Sequence, residues 1–246
     1  MNYGSSWVGQ RVWQAMALAV PSRLWLGGVV RAQRDGVLIR RLVDCVQACV
    51  ASGPLLVRVD GLASYVTAFV RAGRRGRPRL VLDACFQLGQ VVKQYAKRRL
   101  TAVSQLIIHG TPATFAAAMA ATGAGSQINT AFIELLNATF RACVVPLIRR
   151  GRALARTEAS LVAGMFLVGF AYNFRSRHDG LRLLAPSGAR RKWHERTPAI
   201  AAGLTDHCWT MDELLRYQIP LPAWVAGKRR GRPSKSTPRP RKELAA

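Results

Sequence analysis

The sequence predicts a mixed α/β fold, a mixed sheet flanked by helices, followed by a helical carboxy-terminal part and a disordered basic tail. Three observations lead there. Strand-like and helix-like runs alternate from Arg11 to Val59. The stretch Gln127 to Arg141 repeats apolar residues at three- and four-residue spacing, as a helix with one buried face does. From Gly227 to Lys242 the chain holds mostly basic residues with Gly, Pro, Ser and Thr, which cannot bury a core. The expected divisions are 1–183 for the α/β domain, 184–226 for the helical extension and 227–246 for the tail.

Arg11 to Val30 reads as two strands around the turn Pro21-Ser22-Arg23, because proline presets a turn between two apolar runs. Gly36 to Val50 has helical periodicity and stops at Ser52-Gly53-Pro54. Leu55 to Val59 is a short strand ending at Asp60-Gly61. Ala63 to Val70 reads as helix, and Gly73 to Arg79 as a basic loop. Gln90 to His109 looks like two strands joined by a basic turn, with helix as the alternative. Thr111-Pro112 opens an alanine-rich helix that Gly123 and Gly125 end. The central helix is expected from Gln127, burying Ile128, Phe132, Leu135, Leu136 and Phe140 and breaking near Pro146. Thr157 can cap a helix from Glu158 to Tyr172. Its 14 apolar-rich residues from Ala159 fall short of the roughly 20 that cross a bilayer, so a buried helix is expected. Pro198 to Leu204 and Met211 to Tyr217 read as short amphipathic helices.

The 246 residues carry 37 Lys and Arg against 12 Asp and Glu, a net charge of +25. Such an imbalance calls for a polyanionic partner, nucleic acid first, with ribosomal RNA or an anionic membrane surface as competitors. No segment is long enough to span a membrane. The run Val12 to Val20 is interrupted by Gln14 and lacks a cleavage site, so a cytoplasmic protein is expected. Five scattered cysteines form no zinc-ligand spacing and read as reduced, mostly buried thiols.

Two carboxylates stand out. Glu134 is the only acidic residue between Asp83 and Glu158, and shares a helical stripe with Thr130, Asn137 and Arg141. Its plain reading is a surface ion pair with Arg141. Asp60 sits just past the carboxyl end of a strand, where α/β proteins tend to place chemistry; its plain reading is the Asp of an Asp-Gly turn. His178 and His207 each neighbour an Asp, but no nucleophile accompanies either, and structural roles are expected. Lys93, Lys97, Arg98 and Arg99 form a cationic run suited to backbone contacts with nucleic acid.

The stretch NTAFIELLNATFR resembles the glutamate helix of the DDE-type transposases of bacterial insertion sequences. VDGLASY around Asp60, YNFRSRHDGLR from Tyr172 and RTPAIAAGLTDHCWTMDELL from Arg196 resemble the same family, covering most of the chain from Arg11 to the tail. The resemblance implies an RNase H-like fold in which carboxylates, here Asp60 and Glu134, hold two Mg²⁺ ions. It implies a DNA transposase that nicks DNA and joins ends at insertion-sequence termini and target DNA, with a homo-oligomer as the expected assembly. Asn137 and Arg141 would orient the glutamate and a nearby phosphate. The family's first aspartate lies on a strand ahead of the hairpin, and MNYGSSWVGQ has no acidic residue. The expectation is therefore a truncated transposase lacking its first strand, with a non-catalytic DNA-binding remnant or regulator of transposition as the alternative. Arg74-Arg75-Gly76-Arg77-Pro78 and Arg229-Arg230-Gly231-Arg232-Pro233 resemble the core of AT-hook peptides, which fit narrow A·T minor grooves; unselective phosphate contact is the alternative.

Overall fold

The computed structural model describes residues 12–50, 54–74, 86–97, 99–122, 130–144, 157–187 and 190–218. The expected tail 227–246, the basic loop from 75 onward and Ile128 lie outside the described residues. The chain divides into two compact units, Met1–Leu215 and Arg216–Ala246. The fold is mixed α/β, with seven α-helices and three small sheets among the described residues.

The first sheet is the expected hairpin. β1 (Trp13–Ala19) pairs antiparallel with β2 (Leu24–Arg31), and Arg23 in the turn takes a left-handed φ of 58°. Its guanidinium donates to the Val20 carbonyl at 2.5 Å and lies 3.3 Å from the centre of the Phe132 ring, which ties the turn to the central helix. Helix α1 (Gly36–Cys49) is capped by Asp35, whose carboxylate accepts from the Leu38 amide. β3 (Leu55–Asp60) follows, then α2 (Ala63–Arg74), which runs two residues into the expected basic loop.

The second sheet has the order β3-β4-β5. β4 (Phe86–Ala96) runs parallel to β3, with Asp60 opposite Val91, and antiparallel to β5 (Arg99–His109). The turn between β4 and β5 passes through Lys97 at φ 45°, so the strand reading of Gln90 to His109 holds and the helical alternative does not. α3 (Pro112–Ala121) starts with a Thr111 capping box and proline in its first turn.

The central helix α4 (Ala131–Cys143) begins later than Gln127, with Thr130 as its cap residue. Leu136 and Phe140 are buried, but Leu135 is 57 % exposed. Its buried arc is narrower than the apolar spacing suggested. α5 (Glu158–Phe170), capped by Thr157, ends in a π-helical turn, Ala171–Arg175. This helix is not buried all round: Leu161, Met165 and Gly169 face the core, whereas Phe166, Leu167 and Phe170 are exposed. Gly169 permits the close approach of α5 to β2, since a Cβ there would meet the Trp25 ring at 2.1 Å. A two-residue hairpin, β6 (Leu183–Leu184) with β7 (Trp193–His194), and the short helices α6 (Pro198–Ala201) and α7 (Met211–Arg216) follow.

The apolar packing spans both larger sheets. Ala15 and Val29 of the hairpin share one core with Leu38, Ile39 and Leu42 of α1 and with Val59, Phe86 and Leu88 of the second sheet. On the opposite face, Met16, Trp25 and Val30 pack against α4 and α5. Val91 and Leu56 pack against Phe115 and Met119 of α3. Odd-numbered residues of β1 and β3 thus serve one helix layer and even-numbered residues the other, the two-residue period of strands covered on both faces.

Among the described residues, no helix is long and apolar enough to cross a membrane. The free thiols are less buried than expected, with Cys49 and Cys143 exposed and Cys45 and Cys208 half-buried. Cys45 and Cys49 lie on α1, Cys143 ends α4, and Cys208 lies in the loop before α7.

Candidate active site

Asp60 closes β3, and its placement follows from local chain chemistry. Its Oδ1 accepts from the Leu62 amide at 3.0 Å, which turns the chain into α2. Its backbone carbonyl accepts from Gln90 Nε2 at 3.0 Å, which fixes the strand end to β4. The remaining carboxylate oxygen lies 3.7 Å from Arg34. Beneath it, burial and the Asp60 charge push the Tyr65 hydroxyl up to about 12.

Glu134 lies on the first turn of α4, where the helix dipole favours an anion. The Thr130 hydroxyl, one turn back, donates to its Oε1 at 2.6 Å. The Thr130 side chain makes no cap bond to the helix amides. The second partner is Lys93 of β4, whose ammonium donates to the same Oε1. Lys93 stands two residues beyond Val91, the register partner of Asp60, and therefore on the same face of the sheet. Its charge also senses Asp60. The Lys93 hydrogen bond, followed by that of Thr130, holds the Glu134 carboxyl below the usual glutamate range, and Glu134 in turn raises the Lys93 ammonium.

Asp60, Glu134 and Asn137 line one cleft of about 540 Å³, together with Arg34, Arg58 and Thr130. The cleft thus brings together the two carboxylates singled out in the sequence. The expected assistants differ. Neither Asn137 nor Arg141 bonds Glu134: Asn137 lines the cleft, while Arg141 is exposed on the helix. Thr130 and Lys93 take that place. Sequence spacing signalled Thr130, which was already on the Glu134 stripe, but a contact between residues 41 apart in different elements left no local trace. Lys93, expected against a DNA backbone, is engaged by Glu134. Arg74 ends α2. Arg75, Arg77, Arg229, Arg230 and Arg232 lie outside the described residues.

The donor set supports a limited cation site. No group of three or more His, Cys, Asp or Glu side chains gathers at metal distance among the described residues. Two carboxylates suit a single Mg²⁺ that completes its shell with water and substrate phosphate. They do not make a two-ion cage. His178 and His207 stand away from Asp60 and Glu134. Burial, and then the nearby Arg23, lower the His178 pKa, and its Nδ1 has no hydrogen-bond partner among the described residues. His207 bonds Asp206 at 2.6 Å and Glu213 at 3.1 Å.

Comparison with known protein families, with curated proteins and with solved structures finds no match.

Proposed function

We propose that this chain is a DNA-binding protein of DDE-transposase type, with an RNase H-like domain, whose Asp60 and Glu134 serve metal-dependent cleavage and joining of insertion-sequence ends. The observation that carries the reading is the convergence of Asp60 at a strand end and Glu134 on a helix in one cleft, with Arg34 beside the first and Lys93 beside the second. Asp60 and Glu134 would be the side chains that hold a divalent ion. One Mg²⁺ held between Asp60, Glu134 and a phosphodiester would stabilise charge on the attacking or leaving oxygen. The chain's own groups do the remainder. Thr130 and Lys93 fix the Glu134 rotamer, Gln90 and the Leu62 amide fix Asp60, and Arg34 offers a guanidinium for a phosphate oxygen. The net charge of +25 supplies affinity for the DNA backbone.

The test is cleavage of end-containing duplex DNA by purified protein with Mg²⁺, beside the Glu134→Gln variant. The reading expects Mg²⁺-dependent nicking that the variant loses by about 100-fold or more. Equal cleavage by both proteins removes Glu134 from the role.

A second reading, a non-catalytic DNA-binding remnant or regulator, is favoured by one observation: both carboxylates already have cationic partners, Lys93 and Arg34, and no third carboxylate joins them among the described residues. It expects salt-steep DNA binding, weakening by orders of magnitude between roughly 50 and 200 mM salt, without nicking.

A further inference from the structure

We propose that a second, smaller cavity, lined by α4, the β1-β2 turn and the segment that follows α5, is a binding site for a phosphate group. Its volume is about 230 Å³. Leu135, Leu136 and Thr139 of α4 line it, whereas Glu134 and Asn137 of the same helix line the candidate active cleft. Leu18 and Phe132 line both, so the two sites are neighbours. The charged residues in its wall are Arg23, Arg177 and His178, and no carboxylate is among its lining residues.

Arg23 is the centre of the argument. The turn holds it at a φ of 58°, its Nη1 donates to the Val20 carbonyl, and its guanidinium lies over the Phe132 ring. A guanidinium has five N–H donors, and no carboxylate pairs with this one among the described residues. Burial lowers its pKa, the mark of a charge held away from water without a counter-charge. The other polar groups divide into committed and free. Arg177 is engaged by Glu195, and the Thr139 hydroxyl donates to the Leu135 carbonyl. The hydroxyls of Tyr172 and Ser176 line the cavity and make no hydrogen bond among the described residues.

The free donors fix the chemistry of the ligand. A guanidinium fork and two hydroxyls around an acid-free cavity match a tetrahedral oxyanion, which offers more acceptors than a planar carboxylate. The apolar wall of Leu18, Phe132, Leu135 and Leu136 lowers the local dielectric and strengthens those bonds. Pockets that enclose whole drug-sized ligands start at about 300 Å³, so a phosphate enters here and the rest of its molecule stays outside. Inorganic phosphate and the terminal phosphate of a nucleic-acid strand share this chemistry. The site does not depend on Asp60 or Glu134, and a chain that fails to cleave DNA leaves it standing.

The full-length chain can be titrated at constant ionic strength with inorganic phosphate, and with a short oligonucleotide bearing either a 5′-phosphate or a 5′-hydroxyl. Calorimetry reads affinity, and the Hε1 proton of His178, assigned by its loss in His178→Gln, reads the place. Burial and then Arg23 lower the His178 pKa, while Asp179 raises it. An anion held by Arg23 offsets part of that push, so the His178 pKa is expected to rise on binding. Arg23→Gln is expected to weaken phosphate binding by about tenfold or more, and Tyr172→Phe by about threefold. Tyr172→Phe keeps the ring and loses only the hydroxyl, so it decides the matter even where Arg23→Gln misfolds. Inorganic phosphate binding as tightly as the phosphorylated strand supports the site and assigns it to free phosphate. A gain of about tenfold or more for the 5′-phosphate over the 5′-hydroxyl strand supports it and assigns it to a strand end. An unmoved His178 signal with millimolar phosphate and with the phosphorylated strand overturns the proposal. Unaltered affinity in both Arg23→Gln and Tyr172→Phe places the anion elsewhere on the cationic surface and overturns it too.

Discussion

Strand edges in this molecule meet three different fates. β1 and β3 turn theirs to a cleft lined on both faces by helix-packed cores. β5 stands beyond the helices, and its Leu100, Val103, Leu106, Ile107 and Ile108 are all exposed. The edge of β2 is closed by a single side chain: Asn173 accepts from the Trp25 amide and donates to the Trp25 carbonyl, both at 2.9 Å. Hydrophobicity does not separate these strands, since Leu106-Ile107-Ile108 is as apolar as Leu55-Leu56-Val57. What separates them is the cover supplied by neighbouring elements. β4 shows the change within one strand, buried from Phe86 to Val91 and exposed from Lys93 to Ala96.

The largest test of that contrast compares two leucines on paired strands. Leu88 is fully buried between the α1 core and the sheet, whereas Leu106 is 45 % exposed. Leu88→Ala is expected to cost about 2–5 kcal/mol, by lost transfer energy and the cavity left behind. Leu106→Ala is expected to cost about 0.5 kcal/mol. Urea denaturation of both variants checks this, and equal costs would show that β5 is covered in solution.

Asn173 comes next. Asn173→Ala leaves a buried donor and a buried acceptor of Trp25 without partners, for an expected loss of about 2–3 kcal/mol. Denaturant midpoints measure it, and a loss under about 0.5 kcal/mol would mean that water satisfies the β2 edge. On β5 the same physics acts through association. Leu106→Lys puts a charge on an uncovered edge strand and is expected to lower aggregation, read by light scattering, with little change in the urea midpoint.

These contrasts mark what the sequence could and could not disclose. The hairpins were legible because Pro21 and the basic run at Lys97 punctuate apolar strands, and turn chemistry is local. The helix caps Thr111 and Thr157 were legible for the same reason. The start of α4 and the exposure of Leu135 were not, because helical spacing shows which residues share a stripe and not how wide an arc the neighbours cover. Asp60 and Glu134 could be picked out by isolation and strand-end position. Lys93, the partner of Glu134, could not, since it is placed through the β3-β4 register. The two-residue strands β6 and β7 are too short for any period to show. The reading of α5 as buried failed for the opposite reason: an apolar run all round a helix suggests full burial, yet one face of α5 stays exposed.

The smallest expected effects are electrostatic, and they separate the two carboxylate clusters by sign. Glu134 has a lowered carboxyl pKa in the fold, so its contribution is present at neutral pH and is lost as pH falls through that lowered value, below the usual 4.5. His207 is raised by Asp206 first and Glu213 second. Its contribution is complete below the unfolded histidine value, near 6.5, and is lost as pH rises through the higher folded one. Raising pH from 6 to 9 is therefore expected to lower Tm slightly, and His207→Gln to flatten that slope without altering the acid limb governed by Glu134. Because His207 is half-exposed and Asp206 almost fully so, added salt should shrink the effect. A slope that survives in His207→Gln would move the alkaline sensitivity elsewhere. Lys93 is then the next group to test, because its raised pKa makes its pairing with Glu134 fail only at still higher pH.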